Sequence, residues 1–527
     1  MTKIPCKRQG TRKQNDMKST INILTILSIT FLMSCQKEYP TGAEYDPYSF
    51  ATLDEKGGTW TPILLNAPTQ ISVPAPVAIT SPEYLTELDA VKKSMANVID
   101  EDRKLITYWG NNPIVRWNEI ARELAAKYNL TPAPNADGTY PAPSAANPGV
   151  YPYFPFAHPP YASRAFAYLS AAQFDGLIAA WHYKYQFNRP APSKNDASIE
   201  PVLPDQNLPS YPSDGAVIAT VSVEILSALF PLEKEFLKTK AAEMRLMLSL
   251  SGMNVESDIV AGEELGKGIA AVYLKRASTD GMSKAQSSKA VSDSLANEAF
   301  KRFGWKWQNM ESPQRPVGIA PLFGKVKPWH LVSVEAVRPP APPELNSAAF
   351  QNAAKELQET ANNLTNEQRK IANWWSDGLG TYTPPGHWNR FATDFIIKYK
   401  LNPIRTARVY AYLNTAVQDA GISCWDAKYY YNYPRPIQAI PGFKTILGTP
   451  NFPAYTSGHS TFSAAAASVL SYLFPQEKAL VEKHAKEAAD SRIYGGIHYR
   501  FDSEAGLEQG RKVAEFTVQK ASKDGAD

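Results

Sequence analysis

The apolar positions of this chain recur at helical rather than strand spacing. Ala464 to Leu473 (AAAASVLSYL) is an apolar run of good helix propensity, and its counterpart lies within Val217 to Leu229. Residues 351–375 and 478–490 carry Ala, Glu, Lys and Leu with the same period. Sustained period-two alternation, the mark of a half-buried strand, is lacking around these stretches. The pattern predicts an all-α protein. Residues 36–90 and 300–345 are aperiodic and rich in Pro, and are expected to wrap the packed helices as loops.

The helical pattern occurs twice. Residues 163–185 (SRAFAYLSAAQFDGLIAAWHYKY) align with residues 407–429 (ARVYAYLNTAVQDAGISCWDAKY), pairing Arg164 with Arg408, Asp175 with Asp419, Trp181 with Trp425 and Lys184 with Lys428. Each pair is 244 residues apart, and the same offset joins Tyr211 to Tyr455, Ser213 to Ser457, Asp258 to Asp502, and Gly262 to Gly506. A period this long is no solenoid and marks a duplicated domain. The expected architecture is two packed helical bundles. One covers 91–290. A Pro-rich connection, 291–350, leads to the second, 351–527, and a Pro-rich segment, 36–90, precedes both.

Composition adds limits. With 527 residues, 44% hydrophobic and 20% charged, the chain has globular composition and length for a large core. The net charge is +4, but residues 1–35, with six Lys/Arg and one Asp, contribute +5, which leaves −1 for the rest. That body lacks the basic footprint of a nucleic-acid binder. Ile21 to Met33 is apolar, follows Lys18 and ends in Leu32-Met33-Ser34-Cys35. It falls short of the about 20 residues of a membrane span and has the shape of a signal peptide. Its end resembles a bacterial lipobox, which implies a 1–35 leader, lipidation of Cys35, and a protein anchored in the cell envelope, at the outer membrane or periplasm, without spanning it. Beyond Cys35 the only cysteine is Cys424, which excludes a disulfide framework and a cysteine zinc cluster.

The chemistry gathers in the second half. Lys428 is followed, after six residues, by Arg435-Pro436. Ser457-Gly458-His459 directly precedes the apolar run. Ser491-Arg492 is followed, after five residues, by His498, and then by Asp502. Three fixed cations, a hydroxyl, a glycine N–H and two imidazoles suit a tetrahedral oxyanion. A helix beginning at Ser457 would add unpaired N–H groups and a favourable dipole. If a helix ran through His498 and Asp502, the carboxylate could accept the imidazole N–H and fix its tautomer.

Together these three motifs resemble the signature of the type 2 phosphatidic acid phosphatase and vanadium haloperoxidase superfamily. The one departure is Thr456, where Pro is commoner. The resemblance covers roughly residues 90–520, and the duplication and the lack of a run of membrane helices are similar to its soluble haloperoxidase branch. It implies that Lys428, Arg435, Ser457, Gly458 and Arg492 hold the oxyanion. It implies that His498, supported by Asp502, bonds to vanadate as cofactor, and that His459 is the general acid–base. Trp425 and Phe452 resemble aromatic positions near the halide site, and His387 is a further candidate for that pocket. The implied reaction is oxidation of halide by hydrogen peroxide. The same residues allow an acid phosphatase that acts on phosphate esters through a phosphohistidine and needs no vanadate. A lipoprotein that only binds an oxyanion or a partner is the third reading.

The bland alternatives differ by residue. Asp419 and Trp425 recur as Asp175 and Trp181, so packing explains them at least as well as catalysis. His330 with Trp329 and His484 are expected outside the site, the last in solvent. In the first half only four residues separate Lys184 from Arg189. By the 244 offset, Asp214 and Gly215 stand for Gly458 and His459, Leu248 for Arg492, and Asn254 for His498. That half is expected to be a degenerate copy without its own acid–base or nucleophile.

Overall fold

The computed structural model describes residues 47–110, 112–130, 155–204, 206–311, 315 and 317–527, so the leader and Cys35 lie outside the described residues. The first half runs through α1 (Pro82–Met95), α2 (Asp100–Gly110), α3 (Pro113–Tyr128), α4 (Pro159–Phe187), α5 (Pro192–Asn195), α6 (Asp214–Leu229), α7 (Lys234–Leu250), α8 (Glu256–Ala277) and α9 (Lys289–Phe303). The second half holds α10 (Ala348–Asn362), α11 (Asn366–Trp374), α12 (Thr383–Lys398), α13 (Pro403–Tyr431), α14 (Pro436–Ala439), α15 (Gly458–Leu473), α16 (Lys478–Tyr494) and α17 (Arg500–Ala521). No strand occurs among the described residues. The protein is all-α, built as two packed helical bundles.

The duplication is visible in the element bounds. Helices α4 to α8 and α13 to α17 match end for end at the 244 offset, and α3 matches α12 at 270. Helices α4 and α13 have the same construction. Each opens with Pro at its first position behind a side-chain cap, His158 or Asn402, and each ends on a left-handed Asn, Asn188 or Asn432. Both are buried along almost their whole length and pack on each other. At their contact Asn414 Nδ2 donates to Ser170 Oγ at 3.3 Å, and these two residues are repeat equivalents.

A helix buried on every side must satisfy its polar groups inside the protein. Asp175 accepts the backbone N–H groups of Ile63, Leu64 and Leu65 at 2.6, 2.9 and 2.9 Å. Asp419 accepts those of Trp329, His330 and Leu331 at 2.7, 2.8 and 2.9 Å. These carboxylates are clips for the wrapping segments, which gives both Asp residues a packing role. Arg164 pairs with Asp280 and Arg408 with Asp524, each at 2.7 Å. The recurrent glycines set helix separation. A Cβ on Gly506 would lie 2.8 Å from the Ser457 carbonyl oxygen, and one on Gly262 would lie 2.2 Å from that of Ser213. This contact brings the start of α17 onto the start of α15.

Three expectations need correction. Helix α1 begins inside the segment read as loop, because Ser81 caps it and Pro82 opens it. Helix α9 runs to Phe303, past the expected end of the first repeat at 290. The helical stretch 351–375 is two helices, because Thr365 and Gln368 form a capping box that starts α11 anew.

Replacing Asp419 with Ala leaves three buried N–H groups without an acceptor, at about 1–3 kcal/mol for each unsatisfied group. We expect Asp419→Ala to lose at least about 3 kcal/mol, read from the midpoint of urea unfolding. An unchanged midpoint would contradict the clip.

Candidate active site

Five helix ends meet where the three motifs converge. The last two turns of α13 supply Trp425 and Lys428. The left-handed Asn432 then turns the chain, so that Arg435 caps α14. Ser457 caps α15 and places Gly458 and His459 in its first turn. Arg492 ends α16, and Gly496, at φ 74°, lets the chain reverse toward His498. Helix α17 starts only at Arg500, so no helix passes through His498. Asp502 lies in the first turn of α17 and reaches back over the helix start instead.

The cations are fully buried. Lys428 Nζ donates to the carbonyls of Pro453 (2.9 Å), Ala454 (2.9 Å) and Thr456 (2.5 Å). Arg435 donates through Nε to Phe452 O (2.9 Å) and through Nη1 to Ile497 O (2.8 Å), while Nη2 is buried with no partner. Arg492 donates to Trp375 O at 2.5 Å and Ala372 O at 3.3 Å. Burial pulls the Lys428 ammonium down toward neutrality and each of the two guanidiniums down to about 10.

His498 Nδ1 lies 2.8 Å from Asp502 Oδ2, which also accepts the Tyr499 N–H at 3.2 Å. The imidazole therefore donates from Nδ1, and the lone pair of Nε2 faces Arg435 Nη1 at 3.0 Å. Burial first, then Arg435, Lys428 and Arg492, holds His498 neutral, well below its ordinary value. His459 is held down in the same way, by burial and then by Arg492 and His387. Its Nε2 is buried without a hydrogen bond and stands 3.8 Å from Asp377 Oδ2.

Asp377 is a site residue that the sequence reading missed. It sits in the loop between α11 and α12 at φ 42°, beside Arg492, whose charge it supports. His387 Nδ1 approaches its two oxygens at 3.1 and 3.2 Å. His387 therefore belongs with Asp377 and His459, stacked on Trp375 at 4.5 Å. Trp425 and Phe452 form a separate pair at 5.0 Å, close to Lys428 and Arg435. The Trp425 indole N–H is tied to Ile319 O at 3.0 Å. A Ser-Asp-Gly triplet reads as an ordinary turn, so no local signal marked Asp377. The loop is held from the first half, where Asn129 Nδ2 donates to the carbonyls of Gly378 (2.9 Å) and Thr381 (3.1 Å) and Asn129 O accepts the Gly380 N–H (2.6 Å). His484 stacks on Phe391 at 4.7 Å, half-buried rather than solvated, and His330 belongs to the Asp419 clip.

This arrangement fits a tetrahedral oxyanion such as vanadate or phosphate. Three buried cations face two carboxylates, Asp377 and Asp502, and unbalanced buried charge is costly until an anion joins it. Arg435 Nη2 is an orphaned donor. At Gly458 a Cβ would meet only Trp425, at 3.7 Å, and Phe462, at 3.9 Å, so no protein neighbour requires glycine there. Its absent side chain leaves the first N–H groups of α15 open to a ligand.

Comparison with known proteins places this geometry. Residues 408–446 and 479–524 match the family model described as the VCPO second helical-bundle domain, and these segments contain Lys428, Arg435, Arg492, His498 and Asp502. Vanadium chloroperoxidase of Curvularia inaequalis is 30% identical over 122 residues, 18% of this chain and 20% of that protein. The match thus spans about a fifth of that relative's length. A bacterial vanadium-dependent iodoperoxidase superposes with a TM-score of 0.55 at 23% identity, over 84% of this chain and 97% of the other. A holo-type bacterial vanadium-dependent chloroperoxidase gives 0.51 at 14%, over 72% and 96%. These structures share the fold, and the second-bundle match falls on the segments that carry the cations and the His498–Asp502 pair.

Proposed function

We propose that the protein is a vanadium-dependent haloperoxidase that oxidises halide with hydrogen peroxide. The observation that carries this is the excess of buried cation around His498 Nε2, a lone pair whose direction Asp502 fixes. Lys428, Arg435, Ser457, Gly458 and Arg492 would hold vanadate, and His498 Nε2 would bond to it. When bound, vanadate supplies the activation of hydrogen peroxide toward halide. The chain's own residues neutralise the anion's charge and keep His498 deprotonated at Nε2. His459, neutral at rest, is able to take up a proton and return it. The Trp425–Phe452 pair gives the cationic side an apolar wall suited to a weakly hydrated halide.

The same residues support a second reading, an acid phosphatase. There His498 Nε2 would attack phosphorus, the ester P–O bond would break, and His459 would protonate the leaving oxygen. Phosphate and vanadate share shape and charge, so the cradle itself does not separate the two readings. We also propose that Cys35 carries a lipid that anchors the protein in the cell envelope. Metabolic labelling with palmitate should mark the wild type and not Cys35→Ala, and equal labelling would remove the anchor.

His459→Ala should reduce turnover about 10²–10⁴-fold, the range of a general acid–base, with vanadate affinity changed far less. His498→Ala should instead abolish tight vanadate binding, followed by calorimetry. Equal loss of affinity in both variants would overturn the assignment of roles.

The sign of the vanadate effect separates the two chemistries. Vanadate should switch on peroxide-dependent halide oxidation and suppress any slow phosphate-ester hydrolysis by competing for one site. If vanadate inhibits hydrolysis and no halide is oxidised between about pH 5 and 8, where His protonation changes, the phosphatase reading stands.

A further inference from the structure

The first repeat has kept the backbone of the oxyanion site. Lys184 Nζ donates to Pro209 O at 2.5 Å, as Lys428 Nζ does to Pro453 O. The Ser213 N–H donates to Asp258 O at 2.9 Å, as that of Ser457 does to Asp502 O. Asp258 Oδ2 accepts the Val255 N–H at 2.9 Å, as Asp502 Oδ2 accepts that of Tyr499. The space at this position remains open. A cavity of about 90 Å³ is lined by Lys184, Asp214, Gly215, Leu248 and Asn254, the counterparts of Lys428, Gly458, His459, Arg492 and His498.

Its chemistry has been inverted. Where Gly458 leaves the helix start open in the second half, Asp214 puts a carboxylate at the start of α6, 3.2 Å from Lys184 Nζ. The anion is thus covalently part of the chain, and the pair has no net charge. Leu248 removes the cation that Arg492 supplies, and Gly215 removes the imidazole. Asn254 is consumed within the wall, through Ser213 Oγ and Ser210 O. The remaining lining is mostly apolar, with Trp109, Leu203, Met244, Met247 and Met253, and Ser193, Gln206 and Ser210 are its polar members. Methionine thioethers adapt to the shape of a bound apolar group. Apolar cavities of about 150 Å³ take up single aromatic rings. Within the Asp214–Lys184 pair the carboxylate is the accessible partner: the Asp214 side chain is 22% exposed, against 2% for Lys184.

We propose that the cavity of the first repeat is a binding site for a small uncharged molecule, an apolar ring or short chain bearing one hydrogen-bond donor that faces Asp214. The proposal is independent of which reaction the second repeat performs. An oxyanion is disfavoured there because Asp214 already occupies its place beside Lys184 and at the helix start. A donor-free hydrocarbon would leave the accessible oxygen of Asp214 without a partner, so a hydroxyl or amine is preferred.

Phenol is the probe, with inorganic phosphate as its counterpart, added to the protein labelled with ¹³C at methionine methyls. Phenol should shift the Met244, Met247 and Met253 resonances saturably, with ring-to-methyl NOEs, and phosphate should leave them in place. Asp214→Asn should weaken phenol about tenfold, the scale of one hydrogen bond to a charged group. Leu248→Phe should fill the cavity and abolish the shifts. If Leu248→Phe fails to fold, the wild-type NOEs decide. The proposal is overturned if phenol moves none of the three methyls, if phosphate moves them, or if the phenol shifts survive in folded Leu248→Phe.

Discussion

The structure depends on burying two 29-residue helices on all sides. Apolar and small side chains meet that demand over most of α4 and α13. The demand is harder for their polar residues, each of which must find a partner inside the protein. Asp175 and Asp419 recruit backbone N–H groups from loops distant in sequence. Lys184 and Lys428 turn to loop carbonyls at the far ends of the same helices. The wrapping segments are therefore ordered by the helices they cover, and the loop that ends in Ser457 is fixed in part by the lysine that it surrounds.

One frame has thus been given two electrostatic solutions. In the second repeat, charge is left unbalanced: Arg435 Nη2 has no acceptor and Gly458 leaves a helix start bare. In the first, Asp214 balances Lys184 internally, and apolar side chains take over the walls. The backbone hydrogen bonds that define the frame are nearly the same in both. The difference in charge rests on a few side chains at matching positions of matching helices.

Much of this could be read in the sequence, because the relevant signals are local. The stretches that recur at the 244 offset, the helix start at Ser457 and each of the three motifs are carried by a few neighbouring residues. Spacing alone would let His498 and Asp502 share a helix. The capping contact of Asp502 with the Tyr499 N–H begins the helix two residues after His498. Asp377 was not legible at all. Its role comes from the packing of α11, α12 and α16, which brings it to His387, His459 and Arg492 across gaps of 10, 82 and 115 positions. His387 could be singled out as a candidate, but a sequence says nothing of its contact with a turn ten residues earlier.

The hold of Asn129 on the Asp377 loop bears on how such a protein can change over time. Asn129 follows α3, in the half that lacks a complete oxyanion site, yet it makes three hydrogen bonds to the segment that presents Asp377 to His459. The second repeat carries all three motifs but does not by itself secure the loop beside His459. A gene shortened to that repeat would encode every motif residue and still leave this loop without its clasp. With one copy bracing the other in this way, loss of the first copy would remove the clasp as well, however far that copy's own chemistry differs.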